Sequence, residues 1–319
     1  MPKPFTLTQL RYFAVVAELE NMTAAAERLL VTQSTLSTAV SQLESSLSTQ
    51  LFVRLQTRGL RLTPSGRQLL QDIKVLLEHA DALYESAQGM SAGLAGELKV
   101  GVFAPLAPFR LPAILQTFEV QYPGVEVSFL EADLATLQSA LLDGRCDVAL
   151  MYGLGLGRGF TYTVLERVPP HVLVHAGHPA AARVGDGIAL KELDGEPSVV
   201  LDLPHSREYY EQLYAMAGMI PNVRHRFAGY ETVRSFVAKG HGYAMLNQRL
   251  NSDMTYSGGK VVALALTDNF PPIEVMLVRP EGVQPTRRTL AFEETCRRIY
   301  TAVGGGHVGS GPAQRKSPD

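Results

Sequence analysis

The chain has 319 residues, with 29 basic against 31 acidic side chains and a net charge of −2 at pH 7. That length predicts two or three compact units, and the near-balanced charge excludes a globally polyanion-binding chain, so any nucleic-acid contact must come from a local patch. Cys146 and Cys296 fall in no CxxC or CxxxH spacing, which argues against a disulfide framework or thiolate metal site and fits a reducing cytoplasm. The opening residues lack the apolar core of an export signal, and no stretch approaches roughly 18 consecutive apolar residues, so neither export nor a membrane partner is expected.

From Leu7 to Leu47 apolar residues recur at helical spacing, interrupted at Glu20-Asn21 and Val31-Thr32. This predicts three consecutive helices, the second and third beginning near Met22 and Gln33 with Asn21 and Thr32 as caps. Leu51-Phe52-Val53 and Leu60-Arg61-Leu62 read as short strands around Leu55-Gln56-Thr57-Arg58-Gly59, a hairpin forming a wing. Thr63 then caps a helix opening on Pro64, where the missing N–H has no partner anyway. Along it Leu69, Ile73, Leu76, Ala80, Leu83, Ala87 and Met90 alternate at four and three residues. Such a heptad stripe either packs on the chain's own core or pairs two copies of the chain; pairing is the reading adopted, through Leu69, Ile73, Leu76, Ala80 and Leu83.

After Gly93 and Gly96 the texture changes to strands alternating with helices: Leu98 to Phe103, Arg110 to Tyr122, Val125 to Leu130, Leu134 to Leu142 and Val148 to Tyr152. A second pass starts near Val172 to Val174 and runs through a strand at Ser198 to Leu201 and helices at Arg207 to Ala217 and Thr232 to Lys239. A strand at Ile273 to Val278 and a helix at Thr289 to Val303 can return the chain to the first pass. The fold class expected is α/β, two Rossmann-like lobes behind an α-rich N-terminal winged helix-turn-helix. The Gly-rich stretch from Gly304 cannot bury enough apolar surface to order itself, which predicts a disordered tail over 305–319.

A helix-turn-helix holds its second helix so that the N-terminal residues reach base edges in the major groove. Ala24-Ala25-Ala26 supplies the small side chains a close helix crossing needs, and Gln33, Ser34, Thr35, Ser37 and Thr38 place short polar groups on the start of the recognition helix. Residues 1–65 carry six basic and four acidic side chains, and no lysine or arginine lies between Leu29 and Val53. Phosphate neutralisation is therefore expected from Arg54, Arg58 and Arg61 on the wing. From composition alone a solvated three-helix module that binds protein is the alternative.

The ordered string Phe13, Val16, Glu18, Thr23, Ala25-Ala26, Leu29, Gln33, Leu36-Ser37, Leu43-Glu44, Leu47, Leu51-Phe52, Arg54, Leu62-Thr63 and Gly66 resembles the N-terminal domain of LysR-type transcriptional regulators. Glu20-Asn21 stands where Gly-Ser is usual, Ser34 where proline is common, Thr38 where many members carry arginine and Ser48 where glycine is usual. The resemblance extends to about residue 303. It implies a winged helix-turn-helix at 1–63, a dimerisation helix at 64–92 and an effector-binding domain at 93–304. That domain is similar to type 2 periplasmic binding proteins, with lobe one at 94–167 and 269–303 and lobe two at 168–268. The partners implied are double-stranded DNA, a small-molecule effector and further copies of the chain as dimer or tetramer, with RNA polymerase a candidate; no cofactor or metal is expected.

In open α/β sheets ligands sit outside the carboxyl ends of strands, near helix N-termini. The loops there offer Ala104 and Pro105 in lobe one and Asp202, His205 and Ser206 in lobe two, Ser206 as helix cap, with Glu231, Thr232 and Asn247 also facing the cleft. Asp202 and Glu231, if unpaired, favour a cationic effector; free helix N–H groups favour an anion. Gly153 to Gly159 lacks the G-x-G-x-x-G register and reads as a flexible cleft-lining loop. His171, His175 and His178 have no carboxylate or thiolate at ligand spacing beside them and read as core or crossover histidines. No Gly-x-Ser-x-Gly, HExxH or Walker pattern marks an enzyme. A ligand-binding protein without DNA activity, or an enzyme on the same scaffold, would leave the first ninety residues unexplained.

Overall fold

The computed structural model describes residues 5–55, 59–87, 93–250 and 252–303. Helices α1 (Leu7–Leu19), α2 (Met22–Arg28) and α3 (Gln33–Leu47) follow one another closely. Each start is fixed by a side-chain oxygen that accepts backbone N–H groups: Thr6 from Gln9, Asn21 from Thr23 and Ala24, and Thr32 from Thr35. Helices α1 and α3 end on Glu20 and Ser48, both left-handed with φ of 45° and 50°. These are the two positions where the resemblance leads one to expect glycine.

Strand β1 (Phe52–Leu55) pairs antiparallel with β2 (Gly59–Leu62), placing Phe52 opposite Leu62 and Val53 opposite Arg61. Phe52 and Leu62 are buried, so the alternation of the strand turns Arg61 outward. The Thr63 hydroxyl caps α4 (Pro64–Ala87), accepting from the Gly66 N–H at 3.0 Å. A Cβ at Gly66 would lie 2.2 Å from the Leu51 carbonyl oxygen, so only glycine lets α4 approach the wing this closely.

The core of this module joins Leu10, Phe13, Val16, Leu36, Val40, Leu43, Leu51 and Phe52 to Leu70 and Ile73 of α4. That corrects part of the expected heptad seam. Ile73 is only 3% exposed, and Leu69 is half-buried against the same core, because the first turns of α4 complete a core that three short helices cannot close alone. Leu76 and Leu83 are 45% and 73% exposed, Tyr84 lies beside them, and Ala80 is half-buried. The Ala87 side chain and Met90 lie outside the described residues, as does the tail.

Lobe one contains β3 (Ala95–Phe103), α5 (Ala107–Gln121), β4 (Gly124–Ala132), α6 (Leu134–Leu142), β5 (Val148–Tyr152) and β6 (Phe160–Val168). The chain crosses at Pro169-Pro170 into lobe two: β7 (His171–His175), β8 (Pro197–Leu201), α7 (Ser206–Met216), β9 (Asn222–Phe227), α8 (Tyr230–Ala238), β10 (Ala244–Leu246) and β11 (Val261–Ala265). It returns through β12 (Ile273–Pro280) and α9 (Arg287–Val303). The lobe-one sheet has the order β4-β3-β5-β12-β6, with β12 antiparallel to both neighbours. In lobe two, β8-β9 and β10-β7-β11 are stitched together by the Ser198–Tyr243 bridge, and the Val199 N–H donates to the Tyr243 carbonyl at 2.8 Å. Joined in this way, lobe two repeats the strand order of lobe one. The sequence does not announce β9, whose Asn-Val-Arg-His-Arg-Phe carries few apolar residues, whereas β11 is an apolar run absent from the strands expected above.

The polar face of α4 grips lobe one. Gln71 Nε2 donates to the Leu141 carbonyl at 3.3 Å, Lys74 Nζ lies 2.6 Å from Asp147 Oδ1, and Glu78 accepts from the Arg287 N–H at 2.7 Å. Glu18 of α1 pairs with Lys99 of β3. Burial disfavours the Glu18 anion, but Lys99, Arg28 and Lys74 outweigh it and hold the carboxyl below its usual range.

Because a left-handed non-glycine residue is strained, Ser48→Gly is expected to raise stability by about 1 kcal/mol. Urea unfolding checks this, and a lower midpoint would show that the Ser48 side chain compensates the strain.

Candidate nucleic-acid interface and inter-lobe site

Leu36, Val40 and Leu43 bury one face of α3, and that fixes what the other face shows. Gln33, Ser34, Thr35 and Thr38 are exposed at its start, and Ser37 is half-buried. The Thr32 hydroxyl lies 2.9 Å from Ser34 Oγ and 2.8 Å from Thr35 Oγ1, so the two short hydroxyls are tied to the cap while the Gln33 amide stands clear. Arg11 pairs with Asp81, and Arg28 lies 2.8 Å from Glu18, which leaves Arg61 as an exposed arginine of the module with no ion pair among the described residues. Arg61 also lines the groove between α1, α4 and lobe one. The Arg54 side chain and Arg58 lie outside the described residues.

Between the lobes a cavity of about 10 Å³ is lined by Pro105, Ser206 and Asn247, together with Phe103, Tyr152, Leu201, Leu203, Tyr210, Tyr230, Leu246 and Gln248. Asn247 is 3% exposed and fully engaged: its amide donates to the Val168 carbonyl at 3.0 Å and to the Tyr209 hydroxyl at 3.1 Å, and it accepts from Tyr210 at 3.0 Å. Gln248 donates to the Tyr152 hydroxyl at 3.0 Å, while Tyr230 donates to the Gln248 carbonyl. Tyr209 in turn donates to the Pro271 carbonyl at 2.8 Å. This network links lobe two to lobe one and to both crossing segments. Burial pushes the hydroxyls of Tyr152, Tyr210 and Tyr230 well above their usual range and Tyr209 up to about 12.

The other expected cleft residues are engaged elsewhere. Asp202 is paired with Arg207 at 2.6 Å, and Glu231 with Arg234 at 2.6 Å while accepting from the Tyr256 N–H. Neither is an open anion, so neither carboxylate favours a cationic effector. Thr232 is exposed away from the cavity, and Ala104 does not line it. The lobe-one helix offers no free anion cradle either: Ala104 donates to Ala132, Leu106 to Phe103, Ala107 to Ala104 and Phe109 to Leu106, while Pro105 and Pro108 have no N–H. Ser206 is the first residue of α7 rather than its cap; the cap position is His205, left-handed at φ 65°. The His205 ring packs against Gly155, and Gln138 donates to the Gly155 carbonyl at 3.1 Å, so the Gly-rich loop is held rather than loose.

The aromatic lining comes from strand ends and helix faces rather than from polar loops, although Tyr152 closes β5 and Gln248 follows Asn247 directly. His178 lies 2.9 Å from Glu196, and no group of three or more potential metal ligands occurs among the described residues. No described helix is long and apolar enough to cross a membrane. Burial raises the Cys146 thiol to about 11, with Asp147 adding to the rise, and pushes Cys296 higher still.

Residues 7–67 match the family model described as bacterial regulatory helix-turn-helix protein, lysR family, and residues 91–300 match the LysR substrate binding domain. A probable hydrogen peroxide-inducible genes activator of Streptomyces viridosporus is 38% identical over 301 residues, covering 93% of this chain and 94% of that protein. Among solved structures, HinK, a LysR family transcriptional regulator of Pseudomonas aeruginosa, is 30% identical with a TM-score of 0.64, covering 94% of this chain and all of that one. A variant of full-length OxyR from Pseudomonas aeruginosa is 25% identical with a TM-score of 0.70, covering 92% of this chain and 98% of that one.

His171 is buried with Nε2 unpartnered, and burial followed by the Arg249 guanidinium pushes it down to about 4. Unfolded, it titrates near 6.5, so protons favour the unfolded chain: stability is intact above about pH 6.5 and is lost by roughly 3 kcal/mol as pH falls toward about 4. His171→Leu should flatten the thermal-melting profile across that window, and parallel profiles for variant and parent would reject the assignment.

Proposed function

The chain belongs to the LysR family of bacterial transcriptional regulators, and from that membership we propose how its residues read DNA, assemble and sense. It is a DNA-binding transcriptional regulator with an effector-binding domain. The observation that carries the finer reading is the exposed, uncharged start of α3, where Gln33 stands clear of the cap bonds that tie Ser34 and Thr35. Gln33 contacts a base edge in the major groove, adenine being its bidentate partner, while Ser34, Thr35, Ser37 and Thr38 bond bases or phosphates and the wing arginines 54, 58 and 61 neutralise phosphate. A weakly basic module binds weakly alone, so two copies act together on two half-sites.

Leu76, Leu83 and Tyr84, exposed along the later part of α4, support dimerisation through that helix. A second contact, suited to a tetramer, is supported by Val120 and Phe129 near the β4 edge and Met216 and Ile220 near the β9 edge, Val120 and Ile220 being 82% and 90% exposed. We place the protein in the cytoplasm, acting on transcription by RNA polymerase, as a regulator and not an enzyme.

The Streptomyces relative is named for induction by hydrogen peroxide. For this chain a bound effector between the lobes is the better reading than thiol oxidation. Reactive thiols are exposed and easily ionised, whereas Cys146 and Cys296 are buried and held protonated.

Gln33→Ala is expected to weaken specific operator binding by about 1 to 3 kcal/mol while sparing non-specific binding; footprinting that shows an unchanged operator would remove Gln33 from the interface. Leu83→Glu should lower the solution mass by splitting the α4 contact, and light scattering that returns the parental mass would reject α4 as the seam.

A further inference from the structure

The cavity between the lobes has rings for walls and no charged side chain in its lining. Asp202 and Glu231 are neutralised by Arg207 and Arg234, and behind Tyr152 the Arg110 guanidinium lies 2.7 Å from Glu166. Tyr210, Tyr230 and Asn247 bond within the protein, and the Gln248 amide N–H donates to Tyr152. Ser206 differs: it is 3% exposed, faces the cavity from the first position of α7, and its hydroxyl has no hydrogen-bond partner among the described residues.

We propose that this site takes an uncharged, single-ring aromatic molecule bearing one carbonyl or hydroxyl oxygen, and that this oxygen bonds to Ser206 Oγ at the start of α7. The assignment rests on the reading that the effector binds between the lobes. A cationic effector would be buried without a counter-charge, and an anion would meet only the partial charge of one helix end, less than its lost hydration. The positive end of the α7 dipole favours an acceptor oxygen at Ser206, and the surrounding rings meet an aromatic body edge-on or offset. The cavity holds about one water as it stands, so a ring enters by parting Phe109 of lobe one from Tyr230 of lobe two, whose ring centroids are 5.2 Å apart. A ligand that binds the parted arrangement better shifts the lobes toward it.

The test is calorimetric titration of the full-length protein with acetophenone, benzoate and benzylamine, which share a ring and differ in charge. Acetophenone is expected to bind at least about tenfold more tightly than either ion. Ser206→Ala should weaken acetophenone by about three- to tenfold, and Ser206→Thr, which keeps the hydroxyl, should restore it. Equal or tighter binding of benzoate or benzylamine, an unchanged acetophenone affinity in Ser206→Ala, or no binding of any probe to the parent overturns the proposal. Leu203→Phe, which narrows the cavity, separates the two readings. If it blocks a charged probe that binds the parent, the inter-lobe site stands and the neutral class fails; if it leaves binding of every probe unchanged, the inter-lobe site itself fails.

Discussion

Helix α4 must satisfy both the winged module and lobe one with one amphipathic surface, and the rest of the molecule is arranged around that constraint. Leu70 and Ile73 close the core of the winged module, and without them the faces of α1 and α3 would be open to water. Gln71, Lys74 and Glu78 bond to lobe one, while Leu76, Leu83 and Tyr84 remain exposed. The position of the recognition helix is therefore tied to lobe one through a rigid element, since α4 packs on α1 and α1 carries the Glu18–Lys99 pair.

The contact between α4 and lobe one is polar, in contrast to the apolar cores on either side of it. Ion pairs and hydrogen bonds of this kind exchange with water at modest net cost, so such a contact can be remade in a second arrangement more readily than a packed core can. The hydrophobic clusters of the winged module and of the lobes then behave as rigid bodies, with the polar faces as the places where relative movement is cheapest. A regulator needs that division, because coupling between an effector and DNA requires two arrangements of comparable free energy.

Between the lobes the opposite holds. Asn247, Gln248, Tyr152, Tyr209 and Tyr210 are buried and Tyr230 is half-buried, and breaking the bonds among them would be costly. The network meets the carbonyls of Val168 and Pro271, which lie on the two crossing segments.

The sequence alone determined the local features whose causes are local. Asn21, Thr32 and Thr63 cap helices because a short side-chain oxygen meets N–H groups two or three residues away, and the winged module and alternating lobes follow from apolar period and turn residues. Only the tertiary structure decided which atoms remain free once neighbours distant in sequence arrive. Arg207 and Arg234 neutralise Asp202 and Glu231, prolines and backbone bonds remove the lobe-one anion cradle, and Ile73 goes to the chain's own core. Strand β9, poor in apolar residues, exists because β8 offers it a partner. Pairing and burial at long sequence separation leave no periodic trace, so Ser206 and the rings around it come to line one cavity only through the packing of the two lobes.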